Sequence, residues 1–445
     1  MTDFETEFAS YRAAHGTPER IELLLCDLNA ILRGKWLPGD QASKLTAGQV
    51  RLPISTYAPT IMGTEPPETG LGIVVGDPDG VIVPVPGTLK PVPWADGHVA
   101  QVLVEMDDPA GEDDLSSRRL LRSVLSRFSR LGLSPVIATE LEFYIHRPRK
   151  KSDDAPRPPN RLPVAQNYEL DVLDRFAPVL SEIQSASKAQ GLATDTLIAE
   201  FGPGQFEINF HHTDDVLAAA DTALLFRRLV RGVVAGHGLE ATFMAKPYAR
   251  EPGNGMHVHV SVQDSEGGNI FDGGTGPSDR LLAAVAGVLA TMPDVQAIFA
   301  PHMNSYRRFQ PDSFAPSRPD WGYDHRGAAV RLPQTTGPAA RLEHRISGAD
   351  VNPYLAVAAI LGGILHGLEM DLPLPLPLDD PKATEAPPLG HDWLGAVDRF
   401  ASSEFSENLL GKRVRDIYVA VKRDEIAALM PELSPVEYRF YLGRI

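Results

Sequence analysis

A chain of 445 residues, 43% of them hydrophobic, has room for two domains or one large one and the composition of an ordinary globular protein. Its formal net charge of −16 argues against a nucleic-acid partner, because phosphate backbones bind basic surfaces. The single cysteine, Cys26, excludes an intrachain disulfide, and the acidic N-terminus lacks a signal-peptide pattern, so we expect a cytoplasmic protein. The longest apolar run, 354–365, is too short to span a bilayer and predicts a buried helix.

The N-terminal quarter of the chain has the pattern of a small β-rich domain. Residues 21–38 (IELLLCDLNAILRGKWLP) predict a hairpin. Three short runs with strand character follow in a segment rich in Pro and Gly, at 72–75, 81–85 and 99–105. The stretch 107–111 (DDPAG) is typical of a linker. We therefore predict an N-terminal domain over residues 1–111 and a second domain over residues 112–445.

The second domain alternates predicted helices and strands, which indicates a mixed α/β architecture. Predicted helices lie at 116–132, 169–190, 213–236, 278–300 and 407–441. Predicted strands lie at 135–145, 241–246, 255–262 and 341–346. Loops with many prolines or no apolar period lie at 148–163, 303–333 and 372–388.

Two acidic side chains stand inside the otherwise apolar strand 135–145 (PVIATELEFYI). Glu140 and Glu142 are two residues apart, so they share one face of the strand. Two buried carboxylates repel each other, and the simplest compensation is a divalent cation. A solvated edge strand explains this one stretch equally well.

Three later stretches place acids, imidazoles or guanidinium groups at two-residue spacing or on either side of a tight turn: Glu200 and Glu207; His257 and His259; and Arg341, Glu343 and Arg345. Together with the first strand they predict a polar cup for hard metal ions. Ligation by many oxygens and few histidines favours Mg²⁺ or Mn²⁺ over zinc. The nearby arginines, five of them in the loop 303–333, indicate binding of phosphate or another anion.

These motifs resemble the glutamine synthetase superfamily, in matching order along nearly the whole chain. The residues that carry the resemblance are Glu140-Leu141-Glu142, GPGQFE at 202–207, GMHVH at 255–259, NSYRR at 304–308, RLEHR at 341–345 and ADVNPYL at 349–355. The γ-glutamylpolyamine (γ-glutamylputrescine) synthetases within that superfamily are similar in three further stretches, HHTDDVLAAADTAL at 211–224, ATFMAKPY at 241–248 and NSYRRFQP at 304–311.

The resemblance implies an α+β fold with a small N-terminal β-grasp domain and a large α/β catalytic barrel. It implies an ATP-dependent ligase that joins the γ-carboxylate of glutamate to an amine through a γ-glutamyl phosphate. The partners it implies are small-molecule substrates, with neither nucleic acid nor membrane. It further implies a dodecamer of two stacked hexameric rings, in which a neighbour's N-terminal domain closes each active site.

The resemblance also implies roles for individual residues. Two divalent ions, Mg²⁺ or Mn²⁺, would be held by Glu142, Glu200 and Glu207 and by Glu140, His257 and Glu343, the second set on the nucleotide side. Glutamate would be bound by Arg308, Arg345 and the backbone of Gly253. The nucleotide and its phosphates would be contacted by Ser261, Arg326, Arg331 and Arg341. Arg326 and Arg308 would be the catalytic residues.

Two departures from the family pattern concern the acceptor. Members that use ammonium have a glutamate in the loop after the Arg308 position, where this chain has Phe314. They also have an aspartate in an N-terminal Phe-Asp-Gly-Ser-Ser motif, where this chain has LPIST at 52–56. Loss of both acids favours an alkyl amine, such as the polyamine putrescine, in an acceptor pocket at Phe314. Two rival interpretations are a true glutamine synthetase that uses ammonium, and a non-catalytic scaffold or nitrogen-status sensor on the same fold.

Overall fold

The computed structural model describes residues 3–107, 115–159, 162–310 and 314–445, which form two β-sheets and surrounding helices. The strands of the N-terminal sheet are β1 (Arg20–Cys26), β2 (Leu32–Pro38), β3 (Arg51–Pro53), β4 (Asp79–Pro84), β5 (Lys90–Pro91) and β6 (Val99–Asp107). The strands of the larger sheet are β7 (Ser134–His146), β8 (Thr194–Ala199), β9 (Gln205–Phe210), β10 (Glu240–Thr242), β11 (Met256–Gln263), β12 (Trp321–Tyr323), β13 (Val330–Gln334) and β14 (Arg341–His344). The α-helices are α1 (Phe4–His15), α2 (Ser43–Thr46), α3 (Ser117–Arg130), α4 (Leu170–Ala189), α5 (Val216–Gly236), α6 (Asp279–Thr291), α7 (Gln296–Phe299), α8 (Pro353–Glu369), α9 (Trp393–Ser402), α10 (Glu404–Leu410), α11 (Lys412–Leu429) and α12 (Pro435–Tyr441).

The N-terminal sheet has the strand order β2-β1-β6-β4-β3, and β5 also pairs with β6. Strands β1 and β2 form the predicted hairpin, and the predicted strands at 81–85 and 99–105 are confirmed as β4 and β6. The predicted strand at 72–75 is wrong. That stretch is a 3₁₀ helix, because Gly72 and Gly76 adopt left-handed φ angles of 76° and 82° that a strand does not allow. The proposed domain boundary after residue 111 lies outside the described residues.

The larger sheet has the order β12-β13-β14-β11-β7-β9-β8, with β10 beside β7, and its neighbouring strands are antiparallel except for β12 and β13. Thr196 of β8 and Arg331 of β13 line the same cavity although five strand-to-strand steps separate them. At about 4.8 Å for each step, a flat sheet would hold them roughly 24 Å apart. The sheet therefore curls into a partial barrel, and the cavity lies on its concave face.

The opposite face of the same sheet carries the hydrophobic core. Phe143 of β7 and Phe206 of β9 are fully buried, and their rings pack 6.1 Å from Phe226 of α5 and 5.0 Å from Phe176 of α4, respectively. Because side chains alternate along a strand, burial of Phe143 on the helices directs Glu142 into the cavity. The apolar face of β7 thus fixes the orientation of its acidic face.

The predicted helices are mostly confirmed, but two of the predicted ranges are divided. The tail 407–441, predicted to be largely helical, is divided among α10, α11 and α12. Ser116 caps α3, since its hydroxyl accepts a hydrogen bond from the backbone of Arg119. The helix predicted over 278–300 is divided into α6 and α7, with Pro293, which cannot donate a helical hydrogen bond, between them. The predicted strand at 241–246 is shorter and covers only β10, and the loop 303–333 contains β12, β13 and a 3₁₀ helix, Ser305–Arg308.

The apolar run 354–365 forms the buried helix α8, as predicted. It packs so closely on α6 that a Cβ atom on Gly287 would lie 2.2 Å from the carbonyl oxygen of Gly363. Both helices therefore need glycine where they cross. Within the described residues, no helix is long and apolar enough to cross a membrane.

Candidate active site

The concave face of the larger sheet forms a cavity of about 740 Å³. All six predicted metal ligands line it: Glu140, Glu142, Glu200, Glu207, His257 and Glu343. Six other residues singled out in the sequence line the same space: Gly253, Arg308, Phe314, Arg326, Arg331 and Arg345. The fold therefore gathers into one cavity residues that lie more than two hundred positions apart in the chain.

Strand register explains why the acidic and imidazole side chains meet. On β7, Glu140 lies opposite His257 of β11, and Glu142 lies opposite Glu207 of β9. Directly opposed residues of antiparallel strands have Cβ atoms about 5 Å apart on the same face. Glu343 reaches the group from β14, which pairs with β11 on its other edge.

Two groups of side chains have the spacing needed to hold a metal ion. One ligand atom from each of Glu140, His257 and Glu343 lies within 4.8 Å of the others, and the same is true of Glu142, Glu207 and His257. The first group has the composition that the family resemblance implies. In the second, His257 takes the place expected for Glu200, although Glu200 lines the same cavity.

Three carboxyl groups in the cavity have pKa values above that of an ordinary glutamate. Burial raises the pKa of Glu142 to about 8, and the nearby Glu200 adds to the rise. Burial and neighbouring acids also raise the pKa values of Glu200 and Glu207. This excess of buried negative charge fits a divalent cation, and a donor set of carboxylate oxygens with one imidazole suits Mg²⁺ or Mn²⁺.

Two other acids have hydrogen-bond or ion-pair partners within the cavity that lower their pKa values. Burial opposes the ionisation of Glu140, but His257 Nδ1 at 3.0 Å and His259 Nε2 at 2.9 Å lower its pKa below the usual range. Burial likewise opposes ionisation of Glu343, and its ion pair with Arg345 lowers the pKa. These two carboxylates are therefore anions ready to bind a cation.

Ser261 and Arg341 are not in the main cavity. They line an adjoining cavity of about 590 Å³, which shares Glu140 and Arg331 with the first. Arg341 Nε lies 3.3 Å from Nδ1 of His259, the imidazole that also contacts Glu140. Of the four residues expected to contact the nucleotide, three thus surround the adjoining cavity, and Arg326 lines only the main one.

Two buried arginines and one glycine form a compact unit on another wall. Arg308 donates a hydrogen bond of 2.8 Å to the carbonyl of Ile346, next to Arg345 in the chain. A Cβ atom on Gly253 would lie 2.7 Å from Cγ of Arg308 and 2.6 Å from the carbonyl oxygen of Ala245. Only glycine fits at this position. Because glycine has no side chain, its backbone lines the cavity directly.

Aromatic side chains form a feature of the cavity that sequence reasoning mostly missed. Tyr168, Phe201 and Phe314, here called the aromatic wall, all line it, and the rings of Phe201 and Phe314 have centroids 5.2 Å apart. Phe314 is 68% exposed and Phe201 38%, and Tyr168 and Phe314 have left-handed φ angles of 68° and 59°. Non-glycine residues rarely adopt this conformation, and it is concentrated at functional sites. Phe314 was expected from the sequence, but Tyr168 lies in a loop without periodicity and gave no signal.

The stability of the metal-free protein should depend on pH through Glu142. An unfolded glutamate loses its proton near pH 4.5, whereas the pKa of folded Glu142 is about 8. Between these values the folded state binds more protons, so stability falls as the pH rises. Mg²⁺ should therefore raise the melting temperature more at about pH 8 than at about pH 6, because its ligands must be deprotonated.

Differential scanning fluorimetry with and without Mg²⁺ tests this expectation. The Glu142→Gln variant should lose the part of the pH dependence that comes from Glu142 and keep the part that comes from the raised pKa values of Glu200 and Glu207. Equal shifts at both pH values in the unmodified protein would contradict the assignment of a cation site.

Comparisons with known proteins agree with this geometry. Residues 114–441 match the family model of the glutamine synthetase catalytic domain. The chain is 37% identical over 448 residues to gamma-glutamylputrescine synthetase PuuA of Escherichia coli (strain K12), an alignment that covers 99% of this chain and 95% of that protein. It is 36% identical over 296 residues to gamma-glutamylethanolamide synthetase GlnA4 of Streptomyces coelicolor, covering 66% of this chain and 63% of that protein.

A solved structure described as a GmaS/ADP complex is also similar, with a TM-score of 0.84 at 27% identity, covering 99% of this chain and 100% of that one. The family model thus spans the whole set of strands that supply the carboxylates, the histidines and the buried arginines. The chain belongs to the glutamine synthetase family.

Proposed function

We propose that this protein is an ATP-dependent ligase that joins the γ-carboxylate of glutamate to an alkyl amine through a γ-glutamyl phosphate. One observation carries the proposal: cation-binding carboxylates, buried arginines and an aromatic wall share a single cavity. The names of two relatives, gamma-glutamylputrescine synthetase and gamma-glutamylethanolamide synthetase, describe the same class of product and support it.

The six clustered ligands would hold two divalent cations, Mg²⁺ or Mn²⁺. When bound, these ions supply positive charge that stabilises phosphoryl transfer. The nucleotide and phosphate contacts that we assign to the chain itself are Ser261, Arg326, Arg331 and Arg341. Three of them surround the cavity that adjoins the metal ligands, so this cavity suits the nucleotide.

Glutamate would be held by Arg308, Arg345 and the backbone of Gly253. Its γ-carboxylate oxygen attacks the terminal phosphorus of ATP, and ADP leaves. The amine nitrogen then attacks the acyl carbon, and phosphate leaves as the nitrogen loses a proton. We assign Arg326 and Arg308 as the catalytic residues, because guanidinium groups placed in the cavity can stabilise the charge that develops in these steps.

The aromatic wall is the proposed acceptor subsite. Ammonium needs anionic oxygens around it, whereas Tyr168, Phe201 and Phe314 present rings. Burial of four methylenes of a diamine stabilises its complex by about 3 kcal/mol, at about 0.8 kcal/mol for each CH₂. A ring face adds about 0.5–2 kcal/mol of cation–π attraction. Both terms favour an alkyl amine such as putrescine over ammonium.

The same family relationship supports a β-grasp N-terminal domain and a ring assembly for this chain. Among the described residues, all that line the main cavity lie between 140 and 345, so the chain's own N-terminal domain does not close the site.

Ile73, Val74 and Val75 of that domain are 85%, 54% and 55% exposed, and α12, described throughout, has no buried side chain. Apolar groups exposed in this way are typical of surfaces that bind another protein.

We therefore expect a homo-oligomer, a dodecamer of two stacked hexameric rings. Light scattering after size-exclusion chromatography should give a mass about twelve times the 48.3 kDa of the chain. The Val74→Glu variant places a charge in the exposed apolar group and should shift the protein towards smaller species with less activity. A fully active monomer would contradict the assembly.

Coupled product analysis tests the ligase proposal. Protein supplied with ATP, glutamate, putrescine and Mg²⁺ should release one phosphate for each γ-glutamylputrescine found by mass spectrometry. Omission of the amine should stop amide formation. ATP hydrolysis without amide would contradict the ligase proposal. A folded protein inactive with every amine and with ammonium would support the scaffold interpretation instead.

A further inference from the structure

A third cavity, of about 490 Å³, lies between the β1–β2 hairpin and α5. Its lining includes Arg227, Arg228 and Arg231 of α5, and Asp350 is the acid among the described residues that line it. We call it the arginine cavity. In the described part of the chain it shares no lining residue with the main active-site cavity or with the adjoining nucleotide cavity.

The charge of the arginine cavity is not balanced. Arg227 is buried, and its Nη1 donates to the carbonyls of Ala349 and Val351 at 3.1 and 3.0 Å, while Nη2 has no hydrogen-bond partner among the described residues. Carbonyl oxygens bind a guanidinium group but do not neutralise it. A buried cation with an unused donor is costly unless an anion is present.

The two other arginines differ in their partners. Arg228 forms an ion pair with Glu22 of β1. Arg231 lies 5.6 Å from the ring centre of Phe243, and no described carboxylate lies within ion-pair distance of it. Because Arg227 and Arg231 are four residues apart on α5, their side chains lie on the same face of the helix. Two guanidinium groups thus face the same space with one acid, Asp350, against them.

We propose that the arginine cavity binds a small anion bearing carboxylate or phosphate groups, and that this anion regulates the binding of glutamate. Guanidinium groups bind both chemical groups through paired hydrogen bonds. The cavity volume is within the usual range for small-molecule sites. Apolar side chains on its walls, Ile31, Ile61 and Phe243, leave room for the carbon skeleton of an organic anion.

The regulatory part rests on the proposed function and on two backbone segments that connect the cavities. Arg227 donates hydrogen bonds to the backbone carbonyls of Ala349 and Val351, which follow Arg345 closely in the chain. Asp350 accepts a hydrogen bond of 2.7 Å from Ser305, the first residue of the 3₁₀ helix that carries Arg308. An anion on the unused nitrogen of Arg227 would stabilise this arrangement of both glutamate-binding arginines and lower the KM for glutamate.

Isothermal titration calorimetry on the intact oligomer, with inorganic phosphate and succinate as separate probes, tests the site. Arg231→Gln should weaken binding of at least one probe about tenfold, and Arg280→Gln, an exposed change on α6, should not. Arg345→Gln changes an active-site arginine, so it should leave the binding of the probe to the arginine cavity unchanged. Unchanged binding in Arg231→Gln would overturn the proposal, because the probe would then bind elsewhere. No probe bound outside the active site would also overturn it.

Kinetics then test the regulatory part. The bound probe should lower the KM for glutamate in the unmodified enzyme, with kcat little changed, and should have no such effect in Arg231→Gln. Binding without a change in KM would overturn the regulatory role. Because calorimetry does not need turnover, failure of the ligase proposal can be told apart from failure of the anion site.

Discussion

The His257→Ala variant is expected to lose at least about 10³-fold in kcat for amide synthesis, with its fold intact. His257 belongs to both groups of ligand atoms, and its Nδ1 also lies 3.0 Å from Glu140. Removal of this imidazole therefore takes away a candidate ligand that lies close to the acids of both groups. Initial rates at saturating ATP and glutamate measure the loss, and circular dichroism checks the fold.

The matched control is His237→Ala. His237 ends α5, contacts Glu182 at 2.8 Å and lies away from the cavities described above. This variant should keep nearly full activity. If His257→Ala retained more than about a tenth of the rate, the metal assignment would be wrong, since a protein ligand of a catalytic ion cannot be dispensable.

The melting temperature of the Glu142→Ala variant tells a role of Glu142 in metal binding apart from a role in stabilising the fold. The buried Glu142 carboxyl is repelled by Glu200, so its removal should raise the melting temperature of the metal-free protein while activity is lost. Mg²⁺ should then stabilise the variant less than the unmodified protein. Lower stability together with lost activity would indicate a structural role for Glu142 instead.

Truncation of the aromatic wall is expected to reduce the use of an alkyl amine specifically. In the double variant Phe201→Ala/Phe314→Ala, kcat/KM for putrescine should fall about tenfold, which corresponds to about half of the roughly 3 kcal/mol from burial of its methylenes. Ammonium has no methylenes, so its kcat/KM should not fall. The discriminating measurement is the ratio of the two constants in each variant, because a general loss of activity leaves the ratio unchanged.

Tyr323→Ala is the control for this pair. Tyr323 is an exposed aromatic residue of β12 that does not line the main cavity. Its removal should leave the ratio of putrescine to ammonium use as it is. An equal fall for both acceptors in the Phe201/Phe314 variant would show that the two rings stabilise the site without contacting the acceptor.

Strand geometry predicted which side chains share a face, because that geometry is local, whereas the proposed metal-ligand sets came from the family resemblance. Glu140 and Glu142 must share a face when they are two residues apart in a strand, and the same holds for His257 and His259. Which strands are neighbours is not local. The pairing that places Glu142 opposite Glu207 depends on the order of the whole sheet, and it brings His257 close to both. The resemblance implies Glu200 in this ligand group, and Glu200 lines the same cavity.

Residues in loops were predictable only where a motif marked them. Tyr168 lies in a loop with a left-handed backbone, and no spacing rule links it to the cavity. The 3₁₀ helix at 72–75 was mistaken for a strand because its apolar residues resemble one, and the conformations of the flanking glycines decided otherwise. The arginines of α5 were visible in the sequence, but only the packing of the β1–β2 hairpin shows that they surround a cavity.

The central claim is that the cavity selects an alkyl amine over ammonium, and competing kinetics test it most directly. One enzyme preparation should be assayed for phosphate release with putrescine and with ammonium, each varied at saturating ATP, glutamate and Mg²⁺. We expect kcat/KM for putrescine to be higher by at least about tenfold, or roughly 1.4 kcal/mol. Equal or better use of ammonium would contradict the account and would make the protein a glutamine synthetase.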